Sequence, residues 1–407
     1  LKVYLAIYII IPHTIGMIGR TLFAQALRRL RESPAVALLG PRQCGKSTLA
    51  RRILKTRASC YLDLERPSDL AQLQDLEAFF KLQKGRLVCL DEVQRAPEIF
   101  PALRSILDET GKNGRLLVLG SASPDLLRQS SETLAGRISY LELAPFSLPE
   151  VGAAGIAWEP TLRRLWTRGG FPRSYLARSD AASFAWREDF IRTFLERDIP
   201  QLGIRIPAQS LRRFWMMCAH SHGQMLNSSQ LGQSLGLSHT TVRSYVDILE
   251  QTFLLRVLPP FEANLKKRLV RSPKIYLRDC GLLHALLGLP SASALLGHPV
   301  FGASWEGLVI ENIVAVLGRG WRAGFYRTST GAELDLVLER GGERIAVECK
   351  ASSAPTVSRG FWTALEDLGI RKAFVAAPVS RAYPIGKGVR VMPLQEVIAE
   401  LGRVAAK

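Results

Sequence analysis

The sequence predicts an α/β protein in three parts: a parallel sheet covered by helices on both faces, a helical middle, and a second α/β region at the C-terminus. Three observations carry the first part. Continuous apolar runs recur at 35–39 (AVALL), 59–65 (SCYLDLE), 86–92 (RLVCLDE), 115–123 (RLLVLGSAS) and 138–146 (ISYLELAPF). Helical stretches at about 46–55 and 99–110 alternate with them. The first run leads straight into a glycine-rich loop, GPRQCGKSTLA, at 40–50. Strands without polar alternation are buried on both faces, and helices between them imply parallel crossovers.

The loop fits GxxxxGK[ST] through Gly40, Gly45, Lys46 and Ser47. In that pattern the glycines let backbone N–H groups turn toward phosphate oxygens, and the following helix points its positive end at the same anion. Gly40, Pro41, Arg42, Gln43, Cys44, Gly45, Lys46, Ser47 and Thr48 are the expected nucleotide contacts. Lys46 reaches the β- and γ-phosphates, and Ser47 ligates Mg²⁺. LVCLDE supplies the complement: a buried strand that ends in two acids, Asp91 for Mg²⁺ and Glu92 as general base for an attacking water. ATP and Mg²⁺ are thus the expected ligands. GSAS at the end of the fourth strand offers Ser121, or else Ser123, as a polar contact to the γ-phosphate or water. Arg137, just before the fifth strand, stands where an arginine finger for a neighbouring subunit is expected, which implies a homo-oligomer. A plain surface arginine is the alternative. Arg168 and Arg197 are weaker choices for that role.

Residues 151–205 read as a helical lid and 206–289 as a winged-helix domain. LNSSQLGQSLGLSHTTVRSYVDILE, 226–250, gives two helices around a tight turn, with Ser238 as N-cap of the second. That helix buries Val242, Tyr245, Val246 and Leu249 and leaves His239, Thr240 and Arg243 free for a DNA groove. FLLRVLPPF and KIYLRD read as strands flanking a basic tip, Lys266, Lys267 and Arg268, suited to phosphate contact. Such a module also serves as packing between domains without touching DNA. Residues 290–300 read as a linker.

The last region, 290–407, holds GAELDLVLERGGERIAVECKAS at 331–352. Alternation puts Glu333 and Asp335 on one face of a strand, and Glu348 and Lys350 on one face of the next, across the turn ERGGE. A hairpin then converges Asp335, Glu348 and Lys350. Two carboxylates can hold a second metal ion against a phosphodiester, and the lysine can activate water. Glu306, at the start of the preceding helix, is preferred over Glu311 as a further member. This D…ExK pattern is similar to that of the PD-(D/E)xK nucleases. A solvated charged face, or a nuclease-like domain that binds without cutting, would show the same residues.

In this order the three sites resemble a bacterial and archaeal family that joins an AAA-type ATPase domain to a C-terminal DUF4143 domain. The resemblance rests on GPRQCGKSTLA, LDEVQRAPEIFPALRSILD, GSASPDLL, LAGRI, GGFPRSYL, LERDI, KIYLRDCGLLHALLG and GAELDLVLE with IAVECKA. It implies a P-loop NTPase sheet of the AAA/ASCE kind over 17–150, followed by a restriction-endonuclease-like α/β fold at the C-terminus.

The chain of 407 residues carries a formal charge of +18, which points to a polyanionic partner such as DNA. The six cysteines form no CxxC pair, as expected of reduced thiols in a cytoplasmic protein. The apolar run at 3–11 is shorter than the roughly 20 residues a membrane span needs. Residues 1–16 are expected to be an extension upstream of a start at Met17, and no membrane partner is expected.

Overall fold

The computed structural model describes residues 18–120, 133–152, 158–261, 270–318 and 320–405. Ser121, Ser123 and Lys266 to Arg268 lie outside the described residues, as does the segment 1–17.

The first sheet has five strands: β1 (Ala35–Leu39), β2 (Ser59–Asp63), β3 (Leu87–Asp91), β4 (Leu116–Gly120) and β5 (Ile138–Glu142). Their order is β2-β3-β4-β1-β5, and every neighbouring pair is parallel. β4 therefore lies between the strand that feeds the glycine loop and the strand that ends in Asp91. Alternate residues enter two cores. Val36, Leu38, Cys89 and Leu117 pack with Leu49 and Ile53 of the helix Lys46–Leu54. Ala37, Val88, Leu90 and Val118 pack with Leu103 and Leu107 of the helix Phe100–Thr110. Burial of such side chains contributes about 1.5–3 kcal/mol each. This is the P-loop NTPase arrangement that the apolar runs predict.

The middle region is helical up to a two-stranded antiparallel ribbon, β6 (Leu255–Leu258) and β7 (Lys274–Leu277). The helices Ser228–Leu235 and His239–Gln251 meet at Gly236, which has φ +66°, and Ser238 Oγ accepts from Thr241 N at 3.1 Å. Phe171, Phe190, Phe194, Trp215, Val242, Leu249, Leu277 and Leu283 share one core. That core crosses the boundary expected at 205/206. Residues 290–300 also differ from the expected linker: they contain a helix, Ala292–Leu296, whose Leu295 is buried in the same core.

The C-terminal sheet is mixed: β8 (Arg322–Arg327), β9 (Glu333–Arg340), β10 (Glu343–Cys349), β11 (Lys372–Ala376), β12 (Tyr383–Gly386) and β13 (Val389–Met392). The order is β12-β13-β11-β10-β9-β8. The helices Phe301–Val316 and Leu394–Ala405 pack on one face, and Arg359–Leu368 on the other. The connection leaving β6 joins this sheet, with Phe261 N donating to Phe325 O at 2.6 Å. Among the described residues no helix is long and apolar enough to cross a membrane.

Candidate functional sites

The glycine loop leaves β1 at Gly40. A Cβ there would stand 2.2 Å from the carbonyl oxygen of Leu143, so only glycine lets the loop start this close to the chain beyond β5. Gly45 takes φ +101° as the N-cap of the helix Lys46–Leu54. Without a side chain at the cap, the first N–H groups of the helix stay open to an anion. The Lys46 ammonium is buried and donates to Gly40 O and Pro41 O, both at 2.9 Å. Cys44 Sγ is turned away, toward Leu143 O at 3.2 Å, and burial pushes its thiol pKa up, so it is a packing residue.

Asp91 is buried at the end of β3. Its Oδ2 accepts from Tyr61 OH at 2.6 Å, and its Oδ1 accepts from Glu92 N at 2.9 Å. Glu92 follows with φ +53°, an uncommon conformation for a residue with a Cβ that turns its carboxylate back toward the loop. Burial raises its pKa, and Lys46 and Arg42 pull it back down. Gln94 Nε2 donates to the same carboxylate. A cavity of about 630 Å³ opens here. Gly45, Lys46, Ser47, Thr48, Arg42 and Glu92 line it from the sheet side, and Pro172, Arg173, Arg197 and Asp198 from the middle region. A buried lysine held only by loop carbonyls, a hydroxyl at Ser47 and a buried carboxylate at Asp91 make a donor set that fits nucleotide phosphates with Mg²⁺.

Arg42 is the link the sequence did not reveal. Its guanidinium forms a salt bridge with Asp198 and stands 3.5 Å from Glu65 and 4.0 Å from Glu92. Asp198 ends a π-helical turn, Phe194–Asp198, inside LERDI. The other arginines separate. Arg137 is half-buried at the N-terminal end of β5, opposite the loop, and Nη2 donates to Asp108 at 2.9 Å. Arg168 binds Asp180 at 2.6 Å. Of the three arginines weighed for the finger role, Arg197 alone lines the cavity at the glycine loop.

The second constellation forms on the hairpin β9–β10. Gly341 and Gly342, with φ +56° and +85°, make the tight turn that GG predicts. The register pairs Leu336 with Val347, so the next pair outward is Asp335 with Glu348. Lys350 Nζ donates to Glu348 Oε1 at 2.8 Å, and Cys349 N donates to Asp335 Oδ2 at 2.9 Å. Glu306, on the helix Phe301–Val316, faces the same group, whereas Glu311 turns to Arg256 and Arg278. Burial pushes Glu306 and Glu348 above the ordinary carboxylate range. Asp335 adds to both shifts, and Lys274 and Lys350 respectively oppose them.

Lys274, from β7 of the middle region, was not read as part of this site. Its ammonium is 3.1 Å from Glu306 Oε1, 3.1 Å from Glu333 Oε1 and 3.6 Å from Asp335 Oδ1. Tyr276, two residues on and on the same strand face, donates its hydroxyl to Glu306. Three carboxylates thus converge on a lysine. Among the described residues no three His, Cys, Asp or Glu side chains are grouped to hold a metal ion. With Lys274 in this position, the second metal site expected at Asp335 and Glu348 does not fit a divalent ion. The one trace in the sequence is a lysine opening the buried strand KIYL, which does not name its partners.

A cavity of about 1410 Å³ connects this cluster to the middle region. Glu306, Asp335, Glu348 and Lys350 line it together with His239, Arg243 and Arg271. Thr240 is exposed outside this lining. His239 and Arg243, expected to touch DNA, therefore share one cleft with Glu306, Asp335, Glu348 and Lys350, expected to act on it, although Arg243 and Glu306, the closest pair in sequence, are 63 positions apart.

Three family profiles match the chain: an AAA domain at residues 32–152, a domain of unknown function (DUF8612) at 159–293, and a domain of unknown function (DUF4143) at 301–397. The DUF8612 match spans both halves of the middle core. An uncharacterized protein of Mycobacterium tuberculosis is 43% identical over 375 residues, covering 92% of this chain and 83% of its own. An uncharacterized protein of Haemophilus influenzae is 22% identical over 366 residues, covering 82% of this chain and 86% of its own. A solved Walker-type ATPase of Pyrococcus abyssi aligns with 67% of this chain and 96% of its own, at 13% identity and a TM-score of 0.47. The chain belongs to the family of its mycobacterial relative, and in this chain the AAA domain is followed by the DUF8612 and DUF4143 domains.

Proposed function

We propose that the protein is a Mg²⁺-dependent ATPase, acting in the cytoplasm, whose hydrolysis changes how DNA is held in the cleft between the middle region and the C-terminal sheet. One observation carries the coupling. Arg42 of the phosphate loop contacts the carboxylate of Glu92 on one side and that of Asp198 on the other. A change at the γ-phosphate end of the nucleotide thereby reaches the region that bears His239 and Arg243.

Lys46 binds the β- and γ-phosphate oxygens and leaves the carbonyls of Gly40 and Pro41 to do so. Ser47 and Asp91 hold the ion, which when bound spreads the negative charge of the phosphates. Glu92 takes the proton of the attacking water, a role suited to a carboxylate whose basicity is raised by burial. Ser121 orients that water. Arg137 reaches the nucleotide of a second copy, since it points away from its own. The middle region acts as a winged helix, with the helix His239–Gln251 toward DNA. The net charge of +18 and the exposed Arg243 and Arg271 at the rim of the cleft support a polyanion there.

A second reading, an ATP-dependent switch or DNA-binding regulator with a nuclease-like fold but no strand cutting, is favoured by Lys274 among the carboxylates. ATP turnover and nucleotide binding of Lys46→Ala and Glu92→Gln test the ATPase. Lys46→Ala loses binding, and Glu92→Gln keeps binding but loses turnover by roughly 10²–10⁴-fold. Wild-type turnover in both variants would reject the site.

A further inference from the structure

The carboxylate cluster is a charge problem. Asp335 and Glu348 are buried, and Glu306 and Glu333 stand half-buried beside them. Buried carboxylates need a counter-charge within contact distance. Lys350 answers one of them, through Glu348 Oε1 at 2.8 Å. The others turn to Lys274, whose side chain is only 4% exposed.

We propose that Lys274 is the resident cation of this cluster: its ammonium takes the seat a divalent ion would occupy between Glu306, Glu333 and Asp335, so that lysine contact and divalent-ion binding exclude each other. The inference deepens the DNA-directed reading of the same cleft and rests on that reading for its biological use.

Three features carry it. First, an ammonium has three N–H donors, and three carboxylates from two different elements meet it at 3.1 to 3.6 Å. Second, Lys274 comes from the middle region. It is fixed there by β7, whose Ile275 and Leu277 enter the middle core and whose Ile275 O accepts from Gly223 N at 2.8 Å. Its partners Glu333 and Asp335 belong to the C-terminal sheet. The cation is therefore delivered by one region to the other and can be withdrawn by a change between them. Third, among the described residues Glu348 Oε2 is buried with no hydrogen-bond partner, at the wall of the cleft. A buried carboxylate oxygen in that state is ready for a cation that Lys350 does not supply.

Lys274 also lines the cleft. A phosphate entering there offers its ammonium a competing anion.

The test is Mn²⁺ binding to the full chain, free of nucleotide, followed by electron paramagnetic resonance. Lys274→Met keeps the side-chain volume and removes the charge. It should gain one Mn²⁺ site at least tenfold tighter than any in the wild type, and adding Asp335→Asn should abolish that gain. Lys274→Gln, which retains donors for Glu306 and Glu333, should gain the same site and guards against a folding defect in the first variant. A folded Lys274→Gln or Lys274→Met protein whose Mn²⁺ affinity equals that of the wild type overturns the proposal. A DNA cleavage assay on the same samples separates the two readings. Tighter Mn²⁺ without cleavage upholds the lysine's role and removes cutting from the function. Wild-type cleavage with Mn²⁺ affinity unchanged by Lys274→Met keeps the cutting and overturns the role given to Lys274.

Discussion

Arg42 and Asp198 are joined by a salt bridge across 156 positions of sequence, from the phosphate loop to the π-helical turn of the middle region. The carboxylate holds the guanidinium 4.0 Å from Glu92. Asp198 is buried by a fold that places Ile199 and Phe194 in the middle core. The position of Arg42 thus reports the position of that core.

Asp198→Asn removes a charge-assisted hydrogen bond, of a kind that contributes about 1.5–3 kcal/mol. The freed guanidinium then moves toward Glu92 and makes it a weaker base. Turnover should fall about tenfold while nucleotide affinity stays within about threefold. Asp198→Glu should restore part of it. Steady-state ATPase kinetics with a fluorescent nucleotide titration measures both. A fall in affinity equal to the fall in turnover would mean that Asp198 only supports the fold.

Glu311 should govern acid stability. Burial would raise its pKa, but Arg256 and Arg278 override this and bring it to about 2. A carboxyl lowered from its ordinary value near 4.5 stabilises the fold above that pH. The contribution is lost as pH falls from about 4.5 toward 2. Glu311→Gln leaves two guanidinium groups without their shared anion and should cost about 3 kcal/mol at neutral pH. Its stability should also vary less than that of the wild type between pH 4.5 and 2. Denaturant unfolding at a series of pH values checks both.

The rim of the cleft should set the salt dependence of DNA binding. Each phosphate neutralised contributes a slope of about −0.9 in log affinity against log salt. Replacing Arg243 and Arg271 with alanine should reduce that slope by about 1–2 and weaken binding to all sequences alike. Fluorescence anisotropy with a labelled duplex at several salt concentrations reads it. An unchanged slope would move the DNA off this cleft.

The geometry of the glycine loop and of the end of β3 was legible because its constraints are local. Gly40 and Gly45 answer to backbone geometry, and Asp91 to the last position of an apolar strand. The hairpin was legible for the same reason: strand alternation fixes Asp335, Glu348 and Lys350 on one face, and the two glycines of the turn fix the register. Glu306 over Glu311 followed from the helix start, and the two do part company in the structure. Lys274 was not legible. A lysine at the start of an apolar strand reads as a side chain reaching for water, and nothing near it names its partners on β9. Arg42 with Asp198 escaped for the same physical reason, since loop closure over 156 positions leaves no trace in either segment. The single middle core hid the lack of a boundary at 205/206, because helices on both sides of it have ordinary apolar faces.

The most direct test of the account is ATP turnover by the wild-type protein with and without duplex DNA at low salt, with Glu92→Gln as the inactive control. The account predicts that DNA changes the turnover number at least several-fold, and that the Arg243→Ala, Arg271→Ala double variant loses that response while keeping its basal rate. Identical turnover with and without DNA, in a preparation whose Glu92→Gln control is inactive, would contradict it.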